Sequence, residues 1–281
     1  MHRLRIRYDA LRVHTRIYRY EEHMAYKGLD LSGRSAVVIG GTSGIGHAIA
    51  LGLAQAGADV VPTSRRSDLV AKTADEIEAL GRRSLRCPSD VQDRASLDQV
   101  LFEAVEAFGK VDILINCAGR TKRGPTLDFT EEDWNAILET NLTGTLRAAQ
   151  IFGRHMLGRG YGRIVHIASI ASFVALFEVA AYAASKAAVA SLTKSLALEW
   201  GPRGVCVNAI APGVFPTDLN RSLLEGTARG HEFLSRIPIK RFGDVNELRG
   251  AAIFLASESA SYVNGEVLVV DGGFLASGVN Q

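Results

Sequence analysis

The sequence predicts an α/β fold, a doubly wound parallel sheet of seven strands with helices on both faces, in a single domain. Three observations carry this expectation. From Leu31 onward, short and nearly continuous apolar runs alternate with longer stretches rich in Ala, Leu and Glu, as in strands covered on both faces. The first apolar run enters a helical stretch through a glycine-rich turn. No repeat, low-complexity linker or composition break follows residue 31, so one domain accounts for the chain.

Strands are expected at residues 36–39, 59–63, 84–87, 111–115, 163–168, 205–210 and 266–270. Helices are expected between them at 45–56, 68–80, 95–108, 131–156, 182–200 and 246–256. Right-handed crossovers between such strands give the doubly wound, Rossmann-like order. Pro62 sits awkwardly in the second strand, since proline removes a ladder donor, and it marks a place where that strand stops pairing.

Residues 1–23 differ from the rest. Arg3, Arg5, Arg7, Arg12, Arg16 and Arg19 face only Asp9, Glu21 and Glu22 there, and a second methionine follows at Met24. A start upstream of the biological one, a basic arm between subunits and a targeting peptide are three open readings of this extension. Residues 24–281 form the expected catalytic domain.

Composition narrows the function. The chain has 281 residues, 47% of them apolar, and a formal net charge of +2. That excludes a disordered chain and gives no reason to expect nucleic acid as a partner. Cys87, Cys117 and Cys206 lie far apart with no CxxC pair, which fits a reducing, cytoplasmic setting better than a disulfide framework. The most apolar stretch, around 168–184, is broken by Ser169, Ser172 and Glu178, so no membrane span is expected. The histidines form no HxH or HExxH cluster, and no metal is expected.

The turn Gly40-Gly41-Thr42-Ser43-Gly44-Ile45-Gly46 lets the backbone approach an anion closely, and it opens a helix whose first amides favour negative charge. A tight strand–helix turn is the alternative, but the flanking strand and helix favour a nucleotide. Past the second strand, where Asp or Glu would hold a free ribose 2′-hydroxyl, stand Ser64, Arg65 and Arg66. Two guanidinium groups and no carboxylate suit a 2′-phosphate, favouring NADP(H) with NAD(H) still possible. Two solvated arginines at a loop remain the other reading.

Tyr182 and Lys186 are four apart in a helical stretch and so share one face. A nearby ammonium stabilises a phenolate. Ser169 stands thirteen residues earlier, just past a strand end, where open α/β sheets place their sites. A cap or turn is its alternative role.

With these residues in place the sequence resembles the short-chain dehydrogenase/reductase family over about residues 31–274. The likeness rests on the GxxxGxG turn, Asp90, Asn116-Cys117-Ala118-Gly119, Asn141, Ser169, Tyr182-x-x-x-Lys186, Asn208, Pro212-Gly213 with Thr217, and Asp271-Gly272-Gly273, in family order and at family spacing. It implies that Tyr182 exchanges the proton with the substrate oxygen, Lys186 lowers the tyrosine pKa and holds the nicotinamide ribose, and Ser169 hydrogen-bonds the substrate. It further implies that Asn141 orders a water, that Asp90 and Val91 lie at the adenine, Asn116 beside the adenosine ribose and Thr217 near the carboxamide. The cofactor set includes Gly40, Thr42, Ser43, Gly44, Ile45, Gly46, Ala118, Gly119, Pro212 and Gly213. Two positions depart from the family pattern. Ile39 stands where Thr is frequent and Cys117 where a second Asn is frequent, so each loses a hydrogen bond that could brace a loop.

The resemblance also bounds the substrate pocket by two segments. Residues 214–237, with Phe215, Leu219, Phe233, Arg221 and Arg229, look like the family's mobile lid. The loop Arg120-Thr121-Lys122-Arg123 offers three cations to an anionic group, or is simply a solvated basic loop. These segments look like the branch that oxidises sugar acids such as gluconate. Reduction of 3-oxoacyl groups on a carrier protein is the alternative chemistry, with Arg120, Lys122, Arg123 and Arg147 then steering the acidic carrier. A nucleotide-binding sensor or scaffold is the alternative of another class, disfavoured because Asn141, Ser169, Tyr182 and Lys186 are all present. A homotetramer is the implied assembly, with the 131–156 and 182–200 helices packing in pairs.

Overall fold

The computed structural model describes residues 26–218 and 220–278. The basic extension, Met24 and Leu219 lie outside the described residues. Among the described residues, six strands form one parallel sheet in the order β2-β1-β3-β4-β5-β6: β1 Ser35–Ile39, β2 Asp59–Thr63, β3 Ile113–Asn116, β4 Gly162–Ile167, β5 Val205–Pro212 and β6 Val267–Val270. The chain runs outward from β1 to β2, then crosses to β3 on the other side of β1. That reversal leaves a crevice beyond the carboxyl ends of β1 and β3.

Both sheet faces are buried, which explains why the strands read as continuous apolar runs. Helices α1 (Gly44–Gln55) and α2 (Ser67–Ala79) follow β1 and β2. Helix α3 (Arg94–Phe108) starts at Asp93, whose carboxylate accepts from the Ala95 N–H. Helix α4 (Glu131–Leu138) starts at Thr130, whose hydroxyl accepts from the Asp133 N–H, and three acidic residues in its first turn complement the helix dipole. Helices α5 (Gly144–Arg159) and α6 (Ala180–Trp200) flank β4; the short α7 (Arg221–Leu224) and α8 (Ala228–Arg236) lie after β5, and α9 (Leu248–Ala256) precedes β6. Val38, Val60, Ile115 and Val165 pack under Ile49, Leu53, Ile77 and Leu255 of α1, α2 and α9. On the other face Val37, Leu114, Ile164 and Val207 pack under Leu97, Phe152 and Leu196 of α3, α5 and α6. Phe152 is fully buried, and truncating such a ring costs about 3–5 kcal/mol.

Two elements differ from expectation. Residues 84–87 lie beside β2 but form no seventh strand. Val60 donates its N–H to the Arg83 carbonyl at 3.0 Å. The next donor on that edge would be residue 62, and Pro62 has none. Side chains take over instead: the Ser84 hydroxyl donates to the Val60 carbonyl and the Thr63 hydroxyl to the Cys87 carbonyl. The expected 131–156 helix is interrupted by a π-helical turn, Glu139–Thr143, between α4 and α5. Such wide turns recur at functional sites, and this one contains Asn141.

Candidate active site

The crevice gathers most of the expected site. Gly40 has φ 76°, and a Cβ there would lie 2.7 Å from the Ala118 nitrogen, so the turns after β1 and β3 touch through bare backbone. The Gly40 and Gly41 N–H groups donate to the Thr63 carbonyl. The Thr42 hydroxyl donates to Ser64 Oγ at 2.8 Å, and Arg66 Nη2 to Ser43 Oγ at 3.1 Å. The glycine turn is thus tied to the end of β2, with Arg65 and Arg66 exposed beside it. Thr217 closes the other side: a Cβ on Gly44 would meet its methyl carbon at 3.1 Å. This cradle of glycine backbone, hydroxyls and guanidinium groups fits a dinucleotide with a 2′-phosphate.

Asp90 turns back on its own loop, accepting from the Gln92 N–H. Val91 packs where a Cβ on Gly144 would fall, and its carbonyl accepts from Arg147. Asn116 is buried, and its side chain turns into the sheet rather than into the crevice. Its amide donates to Nδ1 of His166 at 3.0 Å, directly across from it in the β3–β4 register. Asn116 Oδ1 and His166 Nε2 have no partner among the described residues. Burial first, then the charge of Lys186, pulls the His166 pKa down to about 3, so the ring is neutral with its proton on Nε2.

Beyond β4 stand the four expected catalytic groups. Asn141, fully buried, accepts from the Arg120 N–H at 2.8 Å and donates to the Arg120 carbonyl and Ser185 Oγ, each at 3.0 Å. It fastens the loop after β3 to α6, and a Cβ on Gly119 would lie within 4 Å of both Asn141 Oδ1 and Lys186 Nζ. Ser169 caps the short turn after β4 through its hydroxyl, which accepts from the Ala171 N–H; the cap and the site position coincide. Lys186 Nζ donates to the Ile167 carbonyl at 2.6 Å, and burial brings its pKa down to about 8. Tyr182 stands four residues before Lys186 on α6. Burial pushes its phenol above the ordinary value, and the Ser169 hydrogen bond opposes this. Lys186 Nζ sits over the ring face, 5.7 Å from the centroid.

The expected substrate residues are only partly assembled. Arg120 is exposed with no ion pair among the described residues. Lys122 is bound to Asp133 and Arg123 to Glu178. Phe215 is 5% exposed and packs where a Cβ on Gly243 would fall, so it belongs to the core rather than to the pocket mouth. Pro212 ends β5, and the Gly213 N–H donates to the Val270 carbonyl. Cys117 is a thiol pushed up to about 11 by burial. Sequence reading missed His166 and Glu178. His166 becomes visible only through its register partner, and Glu178 only through its backbone conformation.

The family model for enoyl-(acyl carrier protein) reductase matches residues 40–275. The chain is 42% identical over 253 residues to the 2-dehydro-3-deoxy-D-gluconate 5-dehydrogenase of Bacillus subtilis, covering 89% of this chain and 98% of that protein. It is 39% identical to the gluconate 5-dehydrogenase of Gluconobacter oxydans, covering 88% and 96%. The crystal structure of a gluconate 5-dehydrogenase from Burkholderia cenocepacia J2315, in complex with NADP and tartrate, superposes with a TM-score of 0.86 at 39% identity, covering 90% of this chain and 99% of that one. By these likenesses, the chain belongs to the short-chain dehydrogenase/reductase family.

Proposed function

We propose that the protein is an NADP(H)-preferring oxidoreductase that interconverts a secondary alcohol and a ketone on a sugar acid of the gluconate type. The observation that carries this reading is the convergence of Ser169, Tyr182, Lys186 and Asn141 beyond the carboxyl end of β4 beside a phosphate-suited glycine turn. When bound, the nicotinamide supplies or accepts the hydride. Gly40 to Gly46, Ser64, Arg65, Arg66 and Thr217 would hold the cofactor, with Asp90 and Val91 at the adenine end and Asn116 contributing its backbone.

Tyr182 donates the phenolic proton to the substrate oxygen as negative charge grows there, and Ser169 donates a second hydrogen bond to the same oxygen. In the reductive direction the phenol is the proton donor, and the Ser169 hydrogen bond offsets part of the rise that burial imposes on it. Lys186, still charged at pH 7, stabilises the phenolate left behind, and Asn141 positions the Arg120 backbone beside it. Arg120 and Arg123 suit the carboxylate of the substrate, and the names of the B. subtilis and G. oxydans relatives support that class.

The catalytic domain is residues 24–281. Among the described residues no helix is long and apolar enough to cross a membrane. We place the protein in the cytoplasm, where its three free cysteines fit. The assembly is a homotetramer. Trp134 on α4 and Leu198 on α6 leave apolar surface on the helices expected to pair. A steady-state panel tests the substrate class: gluconate and 5-ketogluconate against acetoacetyl thioesters, each with both cofactors. Sugar-acid turnover with NADP(H) is expected, and turnover of thioesters alone would refute it.

A further inference from the structure

Between Ser169 and Tyr182 the backbone makes one costly turn. Glu178 has φ 61°, the left-handed region that disfavours residues with a Cβ, and such strain collects at functional sites. Glycine would relieve it, yet the position holds a carboxylate. That carboxylate lies 2.7 Å from Arg123 Nη2. Its backbone carbonyl accepts from the Gly124 N–H at 3.0 Å. One residue earlier, the Phe177 carbonyl accepts from Nη1 of Arg229, on α8, at 3.2 Å. The loop after β3, the approach to α6 and the lid therefore all meet at residues 177–178.

Electrostatics links the same groups. Burial, then the charge of Arg123, pulls the Arg229 pKa down, while Glu178 and Glu232 oppose this. Two guanidinium groups thus meet neighbouring residues of one loop, Arg123 at the Glu178 carboxylate and Arg229 at the Phe177 carbonyl. The Arg123–Glu178 pair is not sealed: the side chains are 39% and 22% exposed. A partly exposed ion pair of this kind exchanges readily for another carboxylate.

We propose that Glu178 is a built-in carboxylate that occupies Arg123 until the carboxylate of an anionic substrate displaces it, with Arg229 as the second guanidinium of the receiving site. Glu178 then sets how strongly the enzyme discriminates between acidic and neutral substrates. A displaced Glu178 no longer needs its left-handed turn, so binding and the lid contact at Phe177 are coupled. This inference rests on the sugar-acid reading of the site and adds to it a competitor supplied by the chain itself.

The test uses Glu178→Gln, which removes the charge, and Glu178→Gly, which removes charge and strain together. The KM for gluconate relative to that for neutral gluconamide should fall roughly tenfold in both variants, with kcat for gluconate little altered. An unchanged or higher ratio in Glu178→Gln overturns the proposal, whatever Glu178→Gly does, because Glu178 would then be a structural clasp. Tartrate binding to the NADPH-loaded protein, measured by calorimetry, reads the anion site without turnover, and its Kd should fall by a similar factor in Glu178→Gln. Wild-type protein that fails to turn over gluconate defeats the sugar-acid reading alone. An unchanged tartrate Kd defeats the role of Glu178 alone.

Discussion

The two sides of the crevice are built differently. On the cofactor side, the glycine turn, the end of β2 and the turn after β3 are joined by backbone hydrogen bonds and by glycine contacts too close for a Cβ. On the substrate side, the loop after β3 is held to α4 and to the approach to α6 by surface ion pairs, Lys122 to Asp133 and Arg123 to Glu178, which solvent screens and weakens, and the lid reaches the same approach through Arg229 and the Phe177 carbonyl. A rigid cradle can serve many substrates, because the reaction class lives in parts that do not vary with the loops. Specificity lives where the energies are small enough for a ligand to compete.

The largest expected effect lies between the two sides. Replacing Tyr182 by Phe leaves cofactor binding almost intact, read by NADPH fluorescence titration, but lowers kcat by roughly a thousandfold, the scale of general acid catalysis. Activity retained in that variant would remove the chemistry from this crevice altogether. On the cofactor side the comparison sharpens at Arg65, which is exposed and makes no hydrogen bond among the described residues. Arg65→Asp should raise the KM for NADPH by about tenfold or more relative to that for NADH. Equal changes would show that the guanidinium does not read the 2′-phosphate.

A smaller effect belongs to the scaffold. The folded-state pKa of His166 is about 3, below the ordinary value of 6.5. The unfolded chain therefore takes up this proton first, and the contribution is lost as pH falls from 6.5 toward 3. Thermal melts across pH 4–7 should show stability falling by at most about 1.4 kcal/mol per pH unit from this group. The slope should be shallower in His166→Asn; the same slope in both proteins would mean that other groups carry the acid sensitivity.

The same contrast governs how much the sequence reveals. Sheet class, glycine turn, Tyr182, Lys186, Ser169 and Asn141 were legible because each rests on local chemistry at a fixed spacing. The seventh strand misled because 84–87 has strand-like composition, while its pairing depended on Pro62 in another segment. The break at Glu139–Thr143 was hidden because those residues suit an α-helix as well as a π turn. Phe215 was placed at the pocket from its lid neighbours, although tertiary packing against Gly243 draws it inward. Lys122 and Arg123 read as free cations because their partners, Asp133 and Glu178, are distant in sequence.

The central claim is hydride transfer onto a sugar-acid ketone, with Tyr182 supplying the proton. It is tested most directly by incubating the protein with 5-ketogluconate and NADPH deuterated at the transferable C4 position, and then analysing the product by NMR. Deuterium is expected on the new carbinol carbon with the wild type, and no labelled product with Tyr182→Phe. A product without deuterium at that carbon, or equal labelling by the variant, would contradict the claim.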